Sequence, residues 1–264
     1  MIKKWNITYP AHTGEEQRGV YLYLPESYDF DSGRRYPVLY MFDGHNVFFD
    51  SDATYGKSWG MKEYMDRTGT QMIIAAIECS HGENNERLSE YSPFDFSDPG
   101  LGRFKGRGRE TMDWLVNTFK PEIDRTYRTI PDRENTWIAG SSMGGLMSLY
   151  AVMEYNHIFA GAAALSPSVW VAPAKLSRLV RESKLYPRTT VYMDYGSDEN
   201  GFYPKIQTQF AKIASSLMER RVLVTSRVVP GGTHCEACWE RQIPFMISTL
   251  LYGRDQEGEA AHGN

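Results

Sequence analysis

Thr136-Trp137-Ile138-Ala139-Gly140-Ser141-Ser142-Met143-Gly144-Gly145-Leu146 is the stretch that decides the fold. Its first four residues read as a short strand, and an apolar helical pattern runs from Gly144 to Tyr155. Between them lies a G-x-S-x-G turn, Gly140 to Gly144. A nucleophile raised on a sharp strand-to-helix turn needs neighbours without bulk two positions to either side, and here both are glycine. The helix that follows presents free N–H groups and a positive dipole end. The spacing therefore predicts Ser142 at the tip of an exposed elbow.

Strands and helices alternate outward from this centre. Strand-like runs cover residues 2–9 and 20–24, with a hairpin loop at 15–19, then 36–42, 72–77, 136–139, 160–165, 190–194 and 222–229. Several are continuously apolar, as strands buried on both faces require. Helical patterns cover 58–68, 108–127, 144–155, 173–183, 203–221 and 235–251. An antiparallel start followed by strand–helix units predicts one α/β domain over residues 1–252, a mostly parallel eight-stranded sheet with helices on both faces. Residues 79–105 lack a clear period and read as a cover loop over the site, and residues 253–264 as a disordered tail.

Composition narrows the function classes. The 264 residues carry 29 Lys+Arg against 33 Asp+Glu, a formal net charge of −4, which argues against a nucleic-acid partner. No run approaches the length of a membrane-spanning helix, and the start Met1-Ile2-Lys3-Lys4-Trp5 has no apolar signal core, so a cytoplasmic location is expected. A homodimer is left open. The cysteines Cys79, Cys235 and Cys238 are too few for a disulfide framework. Cys235-x-x-Cys238 admits a redox or metal reading, but no further ligand motif accompanies it, and the pair reads as the start of the last helix.

A serine hydroxyl is a weak nucleophile near neutral pH and requires a base and an acid that orients the base. Downstream of Ser142 the histidines are His157, His234 and His262. His234, directly after the last strand, is placed to serve as the base. The acid belongs after the preceding strand, where Gly196-Ser197-Asp198-Glu199 offers two carboxylates. Glu199, three residues after the glycine, is chosen, with Asp198 as the alternative. The Met143 amide is expected to supply one oxyanion donor, and the loop that begins Asp43-Gly44-His45 the other, which by analogy with the His-Gly-x turn of other hydrolases is the His45 amide.

These segments resemble the α/β-hydrolase esterases that include feruloyl and acetylxylan esterases of the first carbohydrate-esterase family, enterochelin-type siderophore esterases and esterase D. The resemblance rests on the elbow and on residues 39–44, Leu-Tyr-Met-Phe-Asp-Gly. It extends to Arg87-Leu88-Ser89-Glu90-Tyr91-Ser92-Pro93, to Leu165-Ser166-Pro167-Ser168-Val169-Trp170, and to Gly232-Thr233-His234-Cys235-Glu236-Ala237-Cys238-Trp239. It implies hydrolysis of a carboxylic ester through an acyl-enzyme on Ser142, without metal or organic cofactor. Relatives more often carry Asp where Glu199 stands. Phe48, Arg87, Tyr91 and Trp170 are the candidate substrate contacts, suited to a sugar face or a cinnamoyl ring. The expected substrate is an acetyl or feruloyl ester of a carbohydrate or a similar small-molecule ester. A siderophore trilactone, or an acyltransferase reaction through the same intermediate, is the alternative.

Overall fold

The computed structural model describes residues 1–82, 84–199 and 206–260, with side chains as far as 252. Within it the chain divides into two compact units, Met1–Thr136 and Trp137–Asn264. Eight strands form the main sheet of an α/β-hydrolase fold, mostly parallel.

In the first unit β1 (Ile2–Ala11) and β2 (Gly14–Tyr23) form an antiparallel hairpin. The chain reverses over His12 and Thr13, with Ala11 opposite Gly14, so residues 15–19, expected as a loop, lie within β2. Gly14 has φ +126°, which a side chain resists, and this pins the reversal there. β3 (Val38–Phe42) and β4 (Ile73–Ile77) run parallel, and every residue of both is buried. The order in this unit is β1-β2-β4-β3. The outer strand β1 exposes Lys3 and Lys4, charges that discourage edge-to-edge pairing.

Short helices α1 (Ser27–Phe30), α2 (Met61–Thr68) and α3 (Glu86–Glu90) lie between these strands or just after them. The segment 79–105, expected as a cover loop without period, carries regular structure among its described residues. It holds α3 and a small antiparallel hairpin, β5 (Phe96–Asp98) with β6 (Gly102–Phe104), whose Phe96 and Phe104 rings stack 5.0 Å apart. The expected helix from Gly108 appears as α4 (Gly108–Trp114) and α5 (Lys120–Thr126), joined through a π-helical turn, Leu115–Phe119. Phe119 sits edge-on to Tyr40 of β3, 5.9 Å between centroids, which seats the helix on the sheet.

In the second unit β7 (Thr136–Ser141), β8 (Gly161–Leu165), β9 (Thr190–Gly196) and β10 (Leu223–Val229) are parallel neighbours in that order. Thr136 closes the first unit by sequence and is the first residue of β7. Their register aligns Ser141 with Leu165, Leu165 with Asp194, and Val229 with Gly196. The loops that leave these residues emerge at one edge, the carboxyl ends where open α/β sheets build their sites.

The helices of this unit are α6 (Met143–Glu154), α7 (Pro173–Glu182), α8 (Ile206–Glu219), α9 (Glu236–Glu240) and α10 (Ile243–Ala260). α6 packs on β8 and α10 on β9. Almost every residue of α6 is buried, which explains its uniformly apolar sequence. The single helix expected over 235–251 is two, α9 and α10, with Arg241 and Gln242 between them. The tail expected from 253 onward lies outside the described side chains, and 261–264 outside the description altogether. No described helix is long and apolar enough to cross a membrane.

Candidate active site

Ser142 stands between β7 and α6 with φ 57° and ψ −119°, a conformation that costs a non-glycine residue on the order of 1–3 kcal/mol. Three backbone bonds hold it there. Its N–H donates to Leu165 O at 2.9 Å, and its carbonyl accepts from the Leu146 N–H at 3.1 Å and the Ser168 N–H at 3.0 Å. The glycines do what the motif requires. A Cβ on Gly140 would lie 2.7 Å from the Gly144 backbone, and one on Gly145 would lie 3.1 Å from Leu165 O. Met143 is the first residue of α6, in the turn whose N–H groups have no acceptor within the helix.

The loop after β10 and the turn after β9 meet at two glycines. A Cβ on Gly196 would fall 2.2 Å from Gly232 O, so only bare backbone fits, and Asp198 N–H donates to that same carbonyl at 2.9 Å. This contact brings His234 Nδ1 to 2.9 Å from Glu199 Oε2. Glu199 is 5% exposed, and its other oxygen accepts from Ser166 Oγ and from the Gly196 N–H, each at 2.7 Å. Burial pushes this carboxyl up. The bonds from His234, Ser166 and Gly196 outweigh burial and hold it below the usual glutamate range. Asp198 is exposed, and its carboxylate accepts from Ser197 Oγ, so the histidine is paired with Glu199 and not with the alternative acid.

A second layer, absent from the sequence reading, fixes this pair. Trp239 Nε1 donates to Ser166 Oγ at 2.9 Å, and the same indole lies edge-on to His234 at 5.1 Å. Ser166 has φ 44°, and its N–H is held by Asp194 through both the backbone carbonyl and Oδ1. Tyr192 OH donates to the other Asp194 oxygen at 2.6 Å. Burial pushes Asp194 up to about 6. The sequence signals were a tryptophan five residues after His234 and a serine just past a buried strand; neither carries a motif of its own.

Ser142 Oγ lies 3.5 Å from Ser168 Oγ, and no Ser142–His234 hydrogen bond is present. Glu199 and His234 are thus in contact while Ser142 and His234 are not.

Among the residues assigned to substrate contact, Trp170 is half-buried in the turn after β8. Phe48 and Tyr91 are buried, 2% and 1% exposed, and act in packing instead. Tyr91 OH accepts the Asp43 N–H at 3.3 Å, and its ring meets Phe42 edge-on. Arg87 grips Asp43 with two bonds of 2.7 Å, a bidentate pair that fixes Asp43 at φ 58°. Burial pushes the Asp43 carboxyl up, but Arg87 outweighs it and holds the group below the usual aspartate range. Glu90, on the same short helix as Arg87, binds Arg18 at 2.9 Å. His45 is buried in the short 3-10 turn Gly44–Asn46 that follows Asp43.

The family model Putative esterase matches residues 11–250. The chain belongs to this esterase family. It is a carboxylic ester hydrolase. It is 28% identical over 195 residues to the uncharacterized protein YbbA of Bacillus subtilis, covering 72% of each chain. It is 31% identical over 161 residues to the esterase Rv1288 of Mycobacterium tuberculosis, covering 61% of this chain but only 30% of that protein's length. In fold this esterase is similar to a ferulic acid esterase, with TM-score 0.68, 21% identity and coverage of 96% and 98%. It is also similar to the enterobactin esterase FES of Shigella flexneri, with TM-score 0.72, 16% identity and coverage of 95% and 59%.

Proposed function

We propose that this esterase cleaves small acyl esters through a covalent acyl-enzyme on Ser142, with His234 as base and Glu199 as the orienting acid. The observation that carries this reading is the 2.9 Å contact between His234 Nδ1 and a buried Glu199, in the same unit as the strained Ser142. The carboxylate holds Nδ1 protonated and leaves Nε2 free to take the serine proton. Ser142 Oγ then bonds to the ester carbonyl carbon. The oxyanion is met by the Met143 amide at the start of α6. His234 returns its proton to the leaving alcohol, and water deprotonated by the same imidazole releases the acid.

The substrate of this reading is an acetyl or feruloyl ester of a carbohydrate or a similar uncharged ester. The chain's near-neutral balance, a net charge of −4, suits such a ligand better than a polyanion. Values of kcat/KM on acetyl, feruloyl and trilactone esters test this directly. Preference for the trilactone overturns the carbohydrate reading, and acyl transfer to added sugar in place of hydrolysis makes the protein an acyltransferase. Labelling of Ser142 by a fluorophosphonate, lost in Ser142→Ala, supports the mechanism; labelling elsewhere refutes it.

A further inference from the structure

Parallel β3 and β4 end side by side, Phe42 opposite Ile77, and the turns that leave them bring together three side chains with metal-binding atoms. His45, Cys79 and His81 each offer one such atom, all within 4.8 Å of one another. Two of the three are buried, and His81 reaches in from the surface. The His45 and His81 rings meet edge-on, 4.9 Å between centroids.

His45 supplies the observation that points to a ligand. It is 6% exposed, its Nε2 lies 3.0 Å from Thr54 Oγ1, and its Nδ1 is buried with no hydrogen-bond partner among the described residues. An imidazole anchored on one nitrogen, with the other buried and unpartnered, is the arrangement of a ligating histidine whose remote N–H is held by an outer partner. Glu78 Oε2 lies 3.9 Å from His81 Nε2, within ion-pair reach though beyond a hydrogen bond. Asp43, locked by Arg87, lies beside Cys79.

We propose that His45, Cys79 and His81 form a zinc-binding site that ties together the turns after β3 and β4. The mixed imidazole and thiolate set suits zinc, which binds sulfur at about 2.3 Å and nitrogen at about 2.0–2.1 Å in tetrahedral geometry. Such bonds place the donor atoms about 3.5 Å apart, so modest rotation of the exposed His81 closes the set. On binding, the Cys79 S–H bond is exchanged for an S–Zn bond and the proton passes to solvent, while both imidazoles bind neutral. Three protein donors leave the fourth position to water or another small ligand. The site makes no use of Ser142, Glu199 or the His234 side chain, and it stands or falls independently of the hydrolytic reading.

The full chain, stripped by a chelator and titrated with Co²⁺ and then Zn²⁺, tests this. One equivalent of Co²⁺ is expected to give thiolate charge-transfer absorption in the near ultraviolet, bleached by one equivalent of Zn²⁺. Cys79→Ser abolishes that band, and His81→Gln, on an exposed side chain that leaves folding intact, weakens affinity at least about tenfold. Cys235→Ser and Cys238→Ser leave the band unchanged. Absence of the band in the wild-type chain, its loss in Cys235→Ser, or unchanged affinity in His81→Gln overturns the proposal.

Discussion

Trp239 Nε1 and Ser166 Oγ are joined by a 2.9 Å hydrogen bond, and through it the indole orients the hydroxyl whose own proton goes to Glu199. The acid is thus held from three sides, by Ser166, by the Gly196 amide and by His234. Ser166→Ala removes a bond to a buried charge and should cost about 1.5–3 kcal/mol near neutral pH. The Glu199 carboxyl lies below its usual range when folded, so its stabilisation is present above the ordinary glutamate value and is lost as pH falls through the folded value. Urea denaturation of the two proteins across the acid range checks the sign: their stabilities converge towards low pH. A gap that widens there would show that Ser166 does not act through the carboxylate.

Glu199→Gln keeps the shape of the acid but not its charge. Loss of a triad carboxylate typically lowers kcat by about 10⁴-fold, and a drop of that order is expected here on p-nitrophenyl acetate. Asp198→Ala, which removes an exposed carboxylate that accepts from Ser197 Oγ, should keep kcat near wild type. The reverse ranking would move the acid to Asp198.

Ser142 carries backbone strain that serves only its position. Ser142→Gly should abolish turnover and yet raise stability above that of Ser142→Ala by about 1 kcal/mol, because glycine adopts positive φ without penalty. Thermal unfolding of the two variants decides. Equal stabilities would mean that the elbow is not strained.

Asp194, raised by burial to about 6, is still protonated in the folded chain at pH values where the unfolded chain has ionised it. Its contribution is whole below the ordinary aspartate value and fades as pH rises towards about 6, by at most about 3 kcal/mol. Asp194→Asn removes this titration. The stability of wild type relative to Asp194→Asn should therefore fall between pH 4 and pH 7, measured by denaturant midpoints. A constant difference would contradict the raised value.

The main strands and the elbow could be read from the chain because burial on both faces leaves continuous apolar runs such as 38–42 and 73–77, and because the tight turn leaves no room for a Cβ at Gly140 against the Gly144 backbone. The spacing from Gly196 pointed to Glu199, which the structure places 2.9 Å from His234. The hairpin at 96–104 escaped because its strands are three residues long and leave no period. The ion pairs of Arg87 with Asp43 and of Glu90 with Arg18 escaped because charge complementarity says which residues can pair but not which ones the chain brings into reach. Phe48 and Tyr91 were read as substrate contacts for a related reason: an aromatic beside a catalytic motif has the same letter whether it faces a ligand or the core.

The bare-backbone crossing of Gly196 and Gly232 makes the acid turn and the histidine loop one heritable piece. Neither can be lengthened, grafted from a relative or redesigned by itself, because each is the mould for the other's main chain. Chimaeras that exchange residues 196–199 together with 229–234 keep the mould and its cast matched. Those that exchange one segment alone bring two unmatched backbones into the same space.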